Sequence, residues 1–151
     1  MSKRRWGSPT WIVLHTFAAK VKPGRYDSVK HSLLNWVKKL ASVLPCPDCA
    51  SHATSHLSGI SADRLATKDM FIDMLWAFHN KVNARIGKPI QPRKVLNIYN
   101  RVNFQYVYKV FATEYTRPLH NVRLVSHDMA RRDIVNRLTG WLRSNQRCFR
   151  I

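Results

Sequence analysis

At 151 residues, with 45% hydrophobic side chains, the sequence fits one domain, with enough apolar content to fill one core but not two. No run of about 18 apolar residues is present, which excludes a transmembrane helix. The balance of 26 Lys and Arg against 8 Asp and Glu favours anionic partners: nucleic acid, acidic lipid, acidic protein or a cofactor's phosphates. The basic stretch from Met1 to Pro9 lacks the apolar run and cleavage site of a secretory signal, so the expected location is cytoplasmic.

Apolar spacing is helical almost throughout, and five glycines are too few for a loop-rich or all-β chain. Trp11, Leu14, His15 and Ala18 share a face of a first helix, opened by Pro9 or Thr10 and closed by Pro23-Gly24. Val29, Leu33, Trp36, Val37 and Leu40 form a second stripe that Pro45 ends. A short third helix begins at Cys46–Cys49 and runs to about Leu57. Met70, Met74, Phe78 and Val82 make an i, i+4 column, supported by Phe71 and Leu75, with Thr67 as N-cap and Gly87 as stop.

Past Pro92, the residues Val95, Tyr99, Val102, Tyr106 and Val110 keep helical spacing, yet Tyr106 to Tyr115 is rich enough in β-branched and aromatic residues to be extended. A last amphipathic helix is expected near Asp128 to Arg143, with Ile134, Leu138, Trp141 and Leu142 facing inward. Together these elements predict an all-α four- or five-helix bundle. Arg117 to Ile151 holds eight Arg and no Lys and reads as an appendage with its own electrostatic role.

Three cysteines in a chain this long are chemical rather than structural. Cys46-Pro47-Asp48-Cys49 at a helix start suits dithiol–disulfide exchange, because helix N-terminal amides lower the thiol pKa and the thiolate is the attacking species. The rival reading is zinc on Cys46, Cys49, His52 and His56. If the stretch is one helix, Cys46 and His56 lie roughly 15 Å apart along its axis, whereas zinc ligands sit about 2.0–2.3 Å from the metal. A thioredoxin-like domain would need a βαβ pattern, which is absent. The electron acceptor must therefore sit in a helical bundle.

Two clusters suit a planar heterocycle with hydrogen-bonding edges: Trp11 with His15, and His79 with Asn80 and Asn83. Lys88 and Lys94 follow and suit a pyrophosphate. Each cluster also has a plain reading as core packing or capping. A basic helical nucleic-acid-binding module is the alternative from another class, with the Arg-rich tail along phosphates.

Trp6-Gly7-Ser8-Pro9-Thr10-Trp11-Ile12-Val13-Leu14-His15, Cys46-Pro47-Asp48-Cys49-Ala50-Ser51-His52 with His56-Leu57, and His79-Asn80-Lys81-Val82-Asn83 followed by Gly87-Lys88-Pro89 resemble, in order and spacing, the Erv/ALR family of FAD-dependent sulfhydryl oxidases. The resemblance covers about Lys3 to Tyr99. It implies a four-helix bundle with a fifth short helix, holding FAD at one end and usually dimeric. Residues 1–100 would form the FAD-binding core, and 101–151 a basic helical extension packed on or beside it.

It further implies that Trp11, His15, His79, Asn80 and Asn83 contact the adenosine and flavin portions, that Lys88 and Lys94 lie near the phosphates, and that Gly7, Thr10, Val82 and Tyr99 complete the cofactor set. Cys49 would donate electrons to the flavin and Cys46 would meet the substrate protein's dithiol, with O2 as final acceptor and H2O2 as product. The chain departs from the family pattern in having no second, shuttle cysteine pair: Cys148 is single. Gly59 and Pro92 stand about where the family often has a structural disulfide. Compactness, basic charge and the missing structural cysteines resemble the versions encoded by large cytoplasmic DNA viruses.

Overall fold

The structure, a computed structural model, describes residues 3–151, with side chains from Arg5 onward. Met1 and Ser2, the start of the basic N-terminal stretch, lie outside the described residues. Six α-helices are present among the described residues: α1 (Lys3–Lys20), α2 (Tyr26–Ser42), α3 (Pro47–Ser58), α4 (Lys68–Ile86), α5 (Phe104–Tyr115) and α6 (Val125–Ser144). A 3-10 segment, Arg93–Asn100, links α4 to α5. The described residues contain no β-strand, only an isolated bridge between Val21 and Phe149. The all-α architecture is as expected.

Helix α2 follows its sequence pattern closely: Val29, Leu33, Trp36, Val37 and Leu40 are all buried. Helix α4 starts where its cap predicts, the Thr67 hydroxyl accepting from the Met70 amide at 3.2 Å, and stops where Gly87 adopts the left-handed φ of 77°. Its buried face is not the expected column, however. Met70 is 42% exposed, while Phe71, Leu75 and Phe78 form the core face. An i, i+4 column drifts about 40° around the helix per step, so Met70 to Val82 winds from solvent toward the core.

Helix α1 corrects a second expectation. It begins at Lys3, and Pro9 lies inside it instead of opening it. Proline removes one helical N–H and crowds the carbonyl four residues back. The neighbouring Thr10 hydroxyl donates to the Trp6 carbonyl at 2.5 Å, and burial of Trp6, Val13, Leu14 and Phe17 holds the helix through the break.

The region after Pro92 divides in two. The turn at Arg101–Asn103 interrupts the helical spacing, and the Asn103 side chain, accepting from the Tyr106 amide at 2.9 Å, caps a new helix with its own phase. Tyr106 is therefore 67% exposed, while Phe104, Phe111 and Tyr115 are buried. Tyr106 to Tyr115 is helical, not extended: packing of α5 along α1 overrides its strand-like composition.

In α6, Leu138 and Leu142 are buried, and Ile134 and Trp141 are half-buried against the core. The segment 101–151 supplies Phe104, Phe111, Tyr115, Val135, Leu138, Leu142 and Phe149 to the same cluster as Phe17, Leu33 and Leu40. The chain end is tied back to α1, with the Lys22 amide donating to Cys148 at 2.7 Å and the Arg150 amide to Lys20 at 2.8 Å.

Candidate functional site

Cys46 is the N-cap of α3. Its sulfur accepts from the Cys49 amide at 3.3 Å, and Pro47 occupies the first turn, where a missing N–H costs nothing. The two sulfurs are joined as a disulfide, with the Cα atoms 5.2 Å apart. The bond sits on the positive end of a twelve-residue helix, a setting that stabilises a released thiolate.

A cleft of about 790 Å³ opens beside the pair, between α1, the end of α2, α3 and α4. This lies within the usual range of small-molecule sites, ~300–1,000 Å³. Of the residues expected at a cofactor site, Gly7, Thr10, Trp11, His79, Val82, Asn83, Lys88 and Tyr99 line it, as does Cys49. Cys46 does not, which distinguishes the two cysteines: Cys49 is part of the cleft lining and Cys46 is not.

The remaining three expected residues stand elsewhere. His15 lies behind the wall, 3% exposed, with its Nε2 2.9 Å from His79 Nδ1. The Asn80 side chain donates to the Gln91 carbonyl at 3.0 Å and accepts from the Gln91 amide at 2.9 Å, pinning the loop after α4. Trp76 Nε1 donates to the same carbonyl at 2.9 Å. Lys94 is exposed and outside the lining.

The cleft wall is a layered aromatic surface. Trp11 and His79 stack at 4.0 Å between centroids and 7° between planes, and His15 stacks on Tyr99 at 5.0 Å. Burial, followed by the neighbouring His79, pushes the His15 imidazole down to about 3. Burial, followed by Lys88, pushes His79 down to about 4. Near neutral pH both rings are uncharged, so one nitrogen of the pair donates and the other accepts. The wall is planar and polarisable, and carries no formal charge.

Sequence reasoning missed several lining residues. Leu40, Ala41 and Leu44 form an apolar wall, and Lys81 and Arg85 add cations beside Lys88. His52 and His56 also line the cleft, although the sequence weighed them as ligands only for a metal. Burial lowers the His56 pKa, with Lys81 a lesser cause, and its ring stacks on Phe78 at 5.0 Å and 10°. The available signal was spacing: Cys49, His52, Ala53 and His56 repeat at i, i+3, i+4 and i+7, one face of α3. With the cysteines bonded to each other and His56 turned to Phe78, the four side chains weighed for zinc do not converge. No group of three His, Cys, Asp or Glu among the described residues is placed to hold a metal ion.

The sequence profile of the Erv1 / Alr family matches residues 8–107. The chain belongs to the Erv1 / Alr family. Among its relatives, a protein of Invertebrate iridescent virus 3 is 30% identical over 101 residues, covering 66% of this chain and 68% of its own. An FAD-linked sulfhydryl oxidase of African swine fever virus is 32% identical over 85 residues, covering 56% of this chain and 71% of its own. The FAD-linked sulfhydryl oxidase ERV1 of Oryza sativa subsp. japonica is 28% identical over 97 residues, covering 64% and 50%. No solved structure matches the chain. In this Erv1 / Alr chain the profile takes in the Cys46–Cys49 pair and all of α4, and stops within α5. Residues 108–151, including α6, lie beyond it.

Proposed function

We propose that the chain is an FAD-linked thiol oxidase that forms disulfides in protein dithiols. One observation carries the reading: Cys49 of a bonded Cys46–Cys49 pair lines a preformed cleft walled by the Trp11–His79 stack. The cleft also fits the cofactor named for the relatives. Its uncharged stacked wall suits a planar heterocycle, and the Lys81, Arg85 and Lys88 side chains that line it suit a pyrophosphate.

In this reading Gly7, Thr10, Trp11, His79, Val82, Asn83, Lys88 and Tyr99 hold FAD directly. His15 keeps the His79 ring in its plane, and Asn80 keeps Gln91 at the rim. When bound, FAD would supply a two-electron acceptor for the reduced cysteine pair, with O2 as the final acceptor and H2O2 as the product.

The protein's own steps are thiol exchange. A substrate thiolate attacks Cys46 Sγ, a substrate–Cys46 disulfide forms, and Cys49 leaves as a thiolate stabilised by the α3 N-terminus. The second substrate thiol, as its thiolate, attacks the sulfur of the first, completing the substrate disulfide and releasing Cys46 as a thiolate. Two electrons then reside in the Cys46/Cys49 dithiol. Attack on Cys46 in preference to Cys49 follows from access, since Cys49 faces the cleft that the cofactor fills.

The family resemblance supports a homodimer. No helix among the described residues is long and apolar enough to cross a membrane. The nucleic-acid module inferred from net charge has no specific observation to favour it.

The visible spectrum of the purified protein, before and after dithiothreitol in air, tests the proposal. A bound-flavin spectrum with oxygen consumption on thiol addition is the expected result. A colourless protein that cannot be loaded with FAD would sink it.

A further inference from the structure

The last carbonyls of any α-helix have no partner within the helix and must find one elsewhere. At the end of α2, two of them are met by side chains from beyond the Erv1 / Alr match. The Tyr115 hydroxyl on α5 donates to the Leu40 carbonyl at 2.8 Å, and Arg131 Nη1 on α6 donates to the Val43 carbonyl at 3.0 Å. Only Leu44 and Pro45 separate Val43 from Cys46, and Leu40, Ala41 and Leu44 line the cleft. The end of α2 is thus at once the cleft wall and the strap that leads into the redox pair.

Arg131 is an expensive way to make one hydrogen bond. Its side chain is 1% exposed and that of Asp128 is 9% exposed. The two form an ion pair, and the other Asp128 oxygen accepts from the Leu119 amide at 3.3 Å. Arg131 Nε is buried with no partner among the described residues. A buried ion pair seldom stabilises more than well-packed apolar residues of the same volume. What an apolar pair cannot supply is a rigid N–H fork aimed at a chosen carbonyl.

We propose that Arg131, oriented by Asp128 and assisted by Tyr115, is a positioning residue for the redox pair: it fixes the chain entering Cys46 and so sets how readily Cys46 and Cys49 close their disulfide. Without the clamp the strap moves, the two thiols meet less often, and the disulfide becomes easier to reduce. The segment 108–151, outside the family match, then has a definite task in thiol chemistry. The inference rests on the oxidase reading only in treating the pair as catalytic.

The test compares the FAD-loaded protein with three variants, equilibrated without oxygen against glutathione buffers of graded ratio. The samples are acid-quenched, alkylated, and the Cys46/Cys49 state is read by mass. Arg131→Met with Asp128→Asn removes the clamp, strands no charge, and leaves the Leu119 amide an acceptor. Tyr115→Phe removes the weaker hydrogen bond alone. Tyr108→Phe breaks the 2.7 Å Tyr108–Thr139 contact between α5 and α6 without touching α2, and so serves as the control for general loosening.

The expected shift toward dithiol is about tenfold for the double variant and about threefold for Tyr115→Phe, with no shift for Tyr108→Phe. If the double variant fails to fold, the two tyrosine variants still decide. A folded double variant with no shift would overturn the proposal, and where that variant does not fold, a Tyr115→Phe equilibrium equal to that of Tyr108→Phe would do so. Failure of the unaltered protein to bind flavin would instead count against the oxidase reading.

Discussion

Residues 8–107 and residues 108–151 share one core, yet they bury polar groups in opposite charge states. The first region places two imidazoles edge to edge, His15 and His79, both held neutral by burial. The second buries a full ion pair, Asp128–Arg131. The difference follows from what each region must do. On the proposed function, the wall faces a planar ring and is best left without charge, and neutral imidazoles stacked on Trp11 and Tyr99 meet that need. A helix end with orphan carbonyls needs strong, directed donors, and a guanidinium supplies them.

The contrast breaks most completely at the cysteines. Cys49→Ser should abolish thiol oxidation while FAD stays bound and both buried pairs stay intact, as read by oxygen uptake and the flavin spectrum. Cys46→Ser should block turnover with protein dithiols, and undiminished turnover would contradict its exchange role. The next largest effect is on stability. Arg131→Met alone leaves Asp128 charged and unpaired in the core, and should cost about 3–5 kcal/mol in urea unfolding. If that variant were as stable as the Arg131→Met/Asp128→Asn pair, the ion-pair side of the contrast would fail.

Trp11→Ala probes the neutral wall. Losing one aromatic face removes about 0.5–1.5 kcal/mol of stacking beyond area burial, so FAD affinity should fall roughly tenfold or less, while the urea midpoint moves less than with Arg131→Met. A flavin fluorescence titration reads the first, and unchanged affinity would place the ring elsewhere.

The pH dependence sharpens the contrast further. His15 and His79 have folded pKa values depressed from 6.5 to about 3 and about 4. The unfolded chain therefore binds more protons below pH 6.5, and the stability from these neutral rings is complete above 6.5. It is lost progressively as pH falls through about 4 and then about 3. Replacing both residues with Gln should flatten the urea midpoint across that window. The smallest effect expected is Thr67→Ala, which removes the α4 cap at a cost of about 1 kcal/mol and should leave thiol chemistry untouched.

How much was legible before folding varied with the kind of signal. Where a residue acts locally, the sequence was readable: Thr67 and Gly87 bound α4, Pro45 follows the end of α2, and Cys46 opens α3 because its own side chain caps the helix. Where the outcome depends on what packs opposite, it was not. Pro9 signals a helix start locally, but burial of Trp6 carries α1 past it. Tyr106 has strand-like chemistry, but α5 packs along α1 as a helix in a phase reset by Asn103.

Within the candidate site, motif and spacing alone named Trp11, His79, Asn83, Lys88 and Cys49, all of which line the cleft. The division of labour did not follow from spacing. His15 and Asn80 share the motifs yet stand one layer back, while Lys81, Arg85 and His52 line the cleft although no cofactor role was read for them.

The sequence by itself thus determined the all-helical class, the cysteine pair at a helix start and the family, because capping, period and short motifs act within a few residues. Only the tertiary structure decided that the two histidines meet across 64 positions, and that Arg131 reaches the Val43 carbonyl from 88 positions away. Those pairings depend on how helices dock, and docking is set by the shape of the whole buried face.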